Sequence, residues 1–294
     1  MRNRIQRYRC ATILGSKATI SFLLALTVIL GGIGRPAKTL AGEIKKATAS
    51  NQAKKAAIQS IPFEKLSKTD RARVSKLLTS RNIYRRLPVH VAQCDPKLYD
   101  FCLKNPDLVV GIWRAFNITD LDIKKVDNDK YSGRDKEGTK GTVEFLHRDY
   151  ETTVIFIEGQ YDGPLVAKPV AGRALMVLRT GFIKNTDGKY YATSQLDTFT
   201  QIDNVAIDFF TRTLQPLLGH VADNNFVQTS AFVGSLSRTA ETNPAGVKRL
   251  REDLKTIDKA TLDQFEQVID GVAARAVRQA SYEARTKSRQ KIQR

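Results

Sequence analysis

An arginine and an aspartate on two neighbouring predicted strands, Arg179 and Asp197, are the residues of this sequence best placed to do chemistry. A guanidinium and a carboxylate within reach of each other form either a structural ion pair or the polar end of a ligand pocket. Gln195 adds an amide that can take part in either arrangement. Both interpretations stay open at this point, because they depend on which face of the sheet each side chain occupies.

The turn between these two strands contains an Asp-Gly pair at 187–188, which favours a tight turn because glycine accepts a positive φ and aspartate tolerates one. The length of this turn decides which face of the sheet each side chain occupies. A two-residue loop puts Arg179 and Asp197 on opposite faces. A three-residue loop with a left-handed glycine pairs Arg179 with Gln195 and places Asp197 and Phe199 on the same face as the arginine. We predict the three-residue loop, because it collects a clean apolar face opposite, made by Met176, Leu178, Phe182 and Leu196. The mixed face with Arg179 is then the expected wall of a ligand cavity.

Histidines and cysteines are few, and their spacing matches no catalytic or metal site. His90, His147 and His220 form no His-x-x-x-His pair, and no Cys-x-x-Cys pair is present. The sequence also contains no Gly-x-Ser-x-Gly elbow, phosphate loop or dinucleotide fingerprint. We therefore expect no cofactor and no metal. Enzymatic activity has the least support, because no nucleophile and base can be paired.

Two cysteines, Cys94 and Cys102, lie outside the N-terminal segment. On one continuous helix their separation would be about 12 Å, which is too far for a disulfide. However, Asp95 and Pro96 are typical of a helix N-cap and first turn, which allows Cys94 to fold back. A disulfide and a pair of buried thiols both remain open.

Four strand-like runs surround these residues, and a helical pattern follows them. Their alternating apolar and polar residues predict consecutive antiparallel strands at Thr142–Arg148, Thr152–Tyr161, Arg173–Lys184 and Lys189–Thr200. The helical pattern begins at Asp203. We predict a kink or break in this helix at Pro216 and Gly219.

The first two runs are expected to form a hairpin with Val143 and Phe145 on the same face as Val154 and Phe156. Both faces of the sheet are then apolar, so both need a cover. The long helix can cover only one face. The second face must meet the preceding helices or partly enclose a ligand.

A long loop between the second and third strands, residues 162–172, is rich in proline and glycine yet carries Leu165 and Val166. Apolar side chains on a long loop either pack beneath the loop or cover a pocket. A lid over an apolar pocket and a self-packed loop both fit this composition.

The N-terminal segment, residues 1–41, has the pattern of a targeting sequence. Its first 17 residues hold five basic residues and no acid, and an apolar run follows from Ala18 to Gly34. Thr39 and Ala41 are small residues acceptable to a signal peptidase. We therefore expect an exported protein of the periplasm or cell envelope, with residues 1–41 acting as a cleaved signal or as an inner-membrane anchor.

Basic charge is concentrated at the ends of the chain. The net charge is +18, and residues 1–86 carry 19 Lys and Arg against 3 Asp and Glu. Residues 87–247 carry 17 against 20, so the expected core is close to neutral and nucleic-acid binding is not expected. Residues 42–61 are predicted to form a flexible basic linker. The basic termini are candidates for contact with a membrane surface.

Residues 62–242 are predicted to form one α+β domain, and residues 243–294 a helical C-terminal extension with a basic tail. The order of helices, antiparallel meander and long helix between Pro88 and Leu236 resembles the helix-grip fold of START-type and polyketide-cyclase-like domains. Two further runs, 201–205 and 232–241, resemble segments of exported bacterial proteins whose activity is not known.

The helix-grip resemblance implies an antiparallel sheet covered by a long C-terminal helix, with an apolar cavity between them. It therefore implies a hydrophobic or lipid-like ligand as the partner. We expect the ligand-binding residues to be Arg179, Gln195, Asp197, Phe199, Leu165 and Val166. The alternative is a structural or interaction protein of the cell envelope with a filled core.

Overall fold

The computed structural model describes residues 46–80, 82–164, 166, 168–202 and 215–292. Its helices are α1 (Asn51–Gln59), α2 (Lys68–Thr79), α3 (Pro96–Lys104), α4 (Pro106–Ala115), α5 (Gln215–Thr242), α6 (Pro244–Lys248) and α7 (Lys259–Ile292), with short 3₁₀ turns at Phe63–Lys65 and Arg249–Asp253. Its strands are β1 (Ile83–Arg86), β2 (His90–Gln93), β3 (Asp122–Asp127), β4 (Lys130–Arg134), β5 (Thr139–Arg148), β6 (Thr152–Tyr161), β7 (Val170–Lys184) and β8 (Tyr190–Ile202).

Eight antiparallel strands form one open sheet. Strands β3 to β8 follow each other as a meander, and β1 and β2 both pair with β8. The fold is therefore α+β with a long helix after the sheet, as the helix-grip resemblance implies. Residues 203–214, where the predicted helix begins, lie outside the described residues. Helix α5 is continuous from Gln215 to Thr242, so the break predicted at Gly219 does not occur.

The hairpin between β7 and β8 has the predicted three-residue loop. Lys184 pairs with Tyr190, Arg179 pairs with Gln195, and Gly188 is left-handed with φ of 77°. This confirms the prediction that Arg179, Asp197 and Phe199 share one face, because side chains alternate along each strand.

The two faces of the sheet are covered by different helices. Helices α1 and α2 cover the face that carries Arg179, and their apolar side chains pack on Val154, Phe156, Leu175, Val177 and Phe199. The opposite face carries Met176, Leu178 and Leu196, which pack with Phe226 of α5. Behind α5 on that side, α3, α4 and α7 form the largest apolar cluster. We call the face that carries Arg179 the α1–α2 face, and the face that carries Met176, Leu178 and Leu196 the α5 face.

Residues 46–61 differ from the flexible linker predicted for residues 42–61. Ser50 caps α1 by accepting a hydrogen bond from the Ala53 amide, and Ala53 and Ala57 are buried against the sheet. Thr48 forms a bridge with Arg86 at the sheet edge. The composition of this segment suggested a solvated chain. However, two alanines one helical turn apart form a narrow buried stripe, which is hard to recognise in the sequence because most of the neighbouring residues are polar.

The predicted C-terminal extension is part of the core. Leu262, Phe265, Ile269 and Val272 of α7 are buried in the same cluster as α3 and α4. Their spacing puts them on one stripe of the helix. Asp95, at the start of α3, accepts two hydrogen bonds from Arg275 of α7, at 2.6 and 2.8 Å. The part of this extension from Val247 to Arg275 is therefore packed on the sheet domain.

A β-bulge in β5 overturns the expected face of one hairpin. Val143 pairs with Ile157 and Phe145 with Ile155, but the register shifts after Phe145, so that His147 pairs with Val154. Val143 and Phe145 consequently lie on the α5 face, opposite the predicted one. An extra residue in one strand moves every side chain before it to the other face.

None of the described helices is long and apolar enough to cross a membrane. The predicted signal or anchor, residues 1–41, lies outside the described part of the chain.

Candidate functional site

An apolar cavity of about 180 Å³ lies between the α5 face of the sheet and helices α3, α4 and α5. Strands β3 and β5 to β8 form its floor, and α5 forms its roof. It is lined by Tyr99, Cys102, Leu103, Pro106, Val109, Ile123, Val143, Phe145, Ile155, Ile157, Met176, Leu178, Leu196, Phe226, Thr229, Ser230 and Val233.

The roof of the cavity is one stripe of α5. Phe226, Thr229, Ser230 and Val233 follow the i, i+3, i+4, i+7 spacing that places side chains on a single helix face. The floor residues alternate along their strands, as Ile155 with Ile157 and Met176 with Leu178 do. The helical spacing and the strand alternation are both visible in the sequence, but only the fold places the helix stripe opposite the strand residues.

Four polar side chains are exposed to the cavity, and all of them are neutral. The Tyr99 hydroxyl lies 2.8 Å from the Ser194 hydroxyl, and its ring packs edge-on against Phe182 at 5.5 Å. On α5, Thr229 donates to the carbonyl of Asn225 at 3.2 Å. Ser230 donates to the carbonyl of Phe226 at 3.0 Å. The fourth polar side chain is the thiol of Cys102.

This cavity holds no acid–base pair among its lining residues, which include no Asp, Glu, His, Lys or Arg. Burial raises the pKa of the Cys102 thiol to about 12, so at neutral pH the group is a thiol and not a nucleophilic thiolate. Among the described residues, no group of three His, Cys, Asp or Glu side chains is arranged to hold a metal ion. What the site offers is an apolar space with hydroxyl groups on its wall.

The predicted polar pair lies on the α1–α2 face, away from this cavity. Asp197 is fully buried, and its carboxylate accepts hydrogen bonds from Tyr84 at 2.7 Å, Arg86 at 2.7 Å and Arg179 at 2.8 Å. Arg179 also donates to Gln195. Burial, followed by the hydrogen bond to Asp197, raises the pKa of the Tyr84 hydroxyl. The predicted ligand-binding pair is thus an internal ion cluster, which the partners Tyr84 and Arg86 complete.

Phe199 and Gln195 do not line the cavity either. Phe199 is fully buried and packs on the Tyr84 ring, with 5.1 Å between centroids. We expected the mixed face to form the wall of a ligand cavity. In the structure α1 and α2 pack on this face, and the Asp197 carboxylate there accepts hydrogen bonds from Tyr84, Arg86 and Arg179.

None of the described residues of the loop after β6 lines this cavity. Tyr161 pairs with Val170, so the hairpin loop starts there, about 13 Å along the strand from the lining residue Ile157. Val166 is half-buried and does not line the cavity, and Leu165 lies outside the described residues. The α5 face between loop and cavity carries a row of paired glycines: Gly141, Gly159 and Gly172.

Cys94 and Cys102 are both free and buried, which corresponds to the second of the two alternatives drawn from the sequence. Asp95 caps α3 as predicted, accepting from the amides of Lys97 and Leu98. The Cys94 thiol lies 3.9 Å from the Val233 carbonyl, against α5, while Cys102 lines the cavity.

The residues that line the cavity on α3 and α5 were not recognised in the sequence. In the sequence, Thr229 and Ser230 lie between the apolar residues Phe226 and Val233. The available signal was a pair of hydroxyl residues inside the stripe that Phe226 and Val233 define. A serine or threonine in the middle of an apolar stripe either bonds to the carbonyl four residues before it or supplies a polar group to a pocket. Thr229 and Ser230 do both.

Comparison with known proteins gives distant structural likenesses only. No family model matches the chain, and no curated protein matches it. A conserved protein from Geobacillus kaustophilus is 9% identical, with a TM-score of 0.38 over 50% of this chain and 93% of that one. A hypothetical protein from Helicobacter pylori is 11% identical, with a TM-score of 0.30 over 49% and 84%. The di-domain ARO/CYC protein BexL is 13% identical, with a TM-score of 0.26 over 59% of each chain. At these TM-scores the likenesses carry no argument, and the fold assignment stands on the strand order described above.

Proposed function

We propose that this protein binds a small, neutral hydrophobic molecule in the cavity between the α5 face of the sheet and helices α3, α4 and α5. The observation that carries the proposal is the cavity of about 180 Å³ with an apolar wall and, among the described residues, no charged side chain lining it. The cavity is partly open, and an apolar recess lined by packed side chains is a natural place for an apolar ligand.

The volume limits the size of the ligand. A dry apolar cavity of about 150 Å³ in another protein holds a benzene molecule. The cavity here therefore suits one ring or a short hydrocarbon chain, or the corresponding part of a lipid-like molecule. Burying apolar surface contributes about 25 cal/mol per Å², so a single ring gains a few kcal/mol.

Export is the second part of the proposal, and it rests on the sequence. The basic start, the apolar run and the small residues Thr39 and Ala41 support a signal or anchor in residues 1–41. The protein would then meet its ligand in the cell envelope, where the basic termini could touch an anionic membrane surface. N-terminal sequencing of the envelope fraction separates a cleaved signal, with a start near Gly42, from an anchor that retains Met1.

Binding is tested by solvent extraction of the purified protein with mass spectrometry, followed by titration with single-ring compounds. The test variant is Val233→Phe, because Val233 lines the cavity and the larger ring occupies the ligand space. The matched control is Val277→Phe, which makes the same change at an exposed position of α7. We expect Val233→Phe to abolish binding with a thermal melt that is unchanged or raised, and Val277→Phe to bind like the parent protein.

The structural alternative makes a different prediction. If the parent protein carries no extractable molecule and binds none of the single-ring compounds, the cavity is a packing defect and the envelope-structure interpretation replaces the ligand-binding one. Equal binding by the parent protein and by folded Val233→Phe would place the ligand outside this cavity.

A further inference from the structure

Two hydroxyl groups on the cavity wall indicate the chemical class of the ligand. Resting on the proposed function, we infer that the ligand carries a hydrogen-bond donor, an alcohol, phenol or amine N–H, directed at Thr229 and Ser230 of α5. The site would then distinguish such a molecule from a pure hydrocarbon of the same shape and from a carboxylate.

The protons of both hydroxyl groups are already in use. Thr229 Oγ1 donates to the carbonyl of Asn225 at 3.2 Å, and Ser230 Oγ donates to the carbonyl of Phe226 at 3.0 Å. These are the i−4 bonds that serine and threonine form inside helices. Each hydroxyl has one proton and two acceptor lone pairs, so the capacity left over at each oxygen is that of an acceptor.

The two oxygens are neighbours on the wall of one cavity. Both residues line it, and Ser230 is buried. An unused lone pair of a buried hydroxyl is less costly than an unused proton, but a donor placed opposite it gains a hydrogen bond. A ligand hydroxyl or N–H meets this requirement without breaking either helix bond, whereas a ketone or an ester presents a second acceptor.

A ligand with a negative charge is disfavoured for a separate reason. The lining residues include no cation, and an unpaired carboxylate moved from water into an apolar cavity pays a large desolvation cost. The Tyr99 hydroxyl is neutral and lies 2.8 Å from the Ser194 hydroxyl, so it supplies no charge to compensate for this cost. The best fit is a neutral molecule with one donor.

The experiment compares three ligands of nearly one shape: para-cresol, para-xylene and para-toluate. Isothermal titration of the full chain gives a dissociation constant for each. We expect para-cresol to bind about 2- to 12-fold more tightly than para-xylene, the ratio that one net hydrogen bond supplies. We expect para-toluate to bind more weakly than either.

The acceptors are removed by Thr229→Val and Ser230→Ala, separately and together. Thr239→Val is the matched control, since Thr239 makes the same i−4 bond on the same helix, to Ser235 at 2.9 Å, but is exposed. We expect the cresol-to-xylene preference to vanish in the double variant, to narrow in each single variant, and to persist in the control. Thermal melts show whether each variant is folded. If the double variant does not fold, the two single variants provide the test.

The possible outcomes separate this inference from the proposed function. A preference that is absent in the parent protein, or that survives in the double variant, overturns the inference while binding of para-xylene keeps the proposed function standing. Tight binding of para-toluate also overturns it. Failure of all three compounds to bind the parent protein removes the proposed function and the inference together.

Discussion

Both faces of the sheet carry apolar surface that helices cover, but the helices pack differently on the two faces. On the α1–α2 face, a buried carboxylate is surrounded by Tyr84, Arg86 and Arg179, and Phe199 beside it is fully buried. On the α5 face, the sheet contributes only apolar side chains to the cavity, yet a void of about 180 Å³ remains there. The polar face is sealed and the apolar face is open.

This difference shows that a charged pair is a poor marker of a ligand site when its neighbours can satisfy it. A buried ion cluster requires close contact between its members, so the helices above it must pack tightly. Apolar side chains make no such demand, because dispersion is weak and non-directional for each contact. A long helix resting on large side chains can therefore leave a space between them.

The largest expected effect comes from breaking the ion cluster. Asp197→Ala leaves Arg86, Arg179 and the Tyr84 hydroxyl without their common acceptor in a buried site. We expect the free energy of unfolding to fall by about 3–5 kcal/mol, measured by urea denaturation.

A control for this variant comes from the other members of the cluster. Replacing Arg179 and Asp197 together by Leu and Val still leaves Arg86 unpaired, so this double variant should also be destabilised. A double variant as stable as the parent protein would show that Arg86 contributes nothing to the cluster.

Deleting residues 46–61 tests whether α1 seals its face. This deletion removes Ala53, Ala57 and Ile61 from the core, and we expect a loss of about 3–4 kcal/mol from their burial. The melting temperature of the shortened chain gives the answer. Deletion of residues 1–45 is the control, and stability unchanged by deletion of residues 46–61 would restore the flexible-linker prediction.

Leu196→Ala sharpens the comparison, because it enlarges the existing cavity instead of creating a new one. We expect a cost of about 2.5 kcal/mol, at the low end for such substitutions, since Leu196 already borders the void. A single-ring ligand should recover part of this stability by binding only the folded state. The parent protein, melted with and without the same ligand, is the reference for this recovery.

The smallest effect concerns His90 of β2, which lies nearly buried on the α5 side with its Nδ1 atom unpartnered among the described residues. Burial lowers the pKa of this histidine below its ordinary value of 6.5. As the pH falls, His90 is protonated in the unfolded chain at a higher pH than in the folded protein. Its contribution to the free energy of unfolding is therefore fully present above about pH 6.5 and declines as the pH falls below that value. Each unit of pKa depression corresponds to about 1.4 kcal/mol.

Thermal melts of the parent protein and of His90→Leu at pH 7.5 and pH 5.0 measure this contribution. The difference in melting temperature between the two pH values should be smaller in His90→Leu. A variant with the same pH response as the parent protein would assign the response to other groups.

The β7–β8 register and the fold class could be predicted from the sequence because both are local. The Asp-Gly turn leaves two possible registers, and the one that collects a clean apolar face pairs Arg179 with Gln195, as the structure does. The clean apolar face of Met176, Leu178 and Leu196 was recognised for the same reason. The lengths and order of the strands indicated the α+β meander.

What each face meets is not local, and only the tertiary structure decides it. Helix α1 lies more than a hundred residues from β8 along the chain, and its two buried alanines do not reveal the surface they will cover. The bulge that moves Phe145 to the α5 face lies within β5, where no turn residue marks it in the sequence. Both faces carry enough apolar surface to be a core, so the sequence determines the two faces of the sheet while long-range packing determines which one is sealed and which one encloses the cavity.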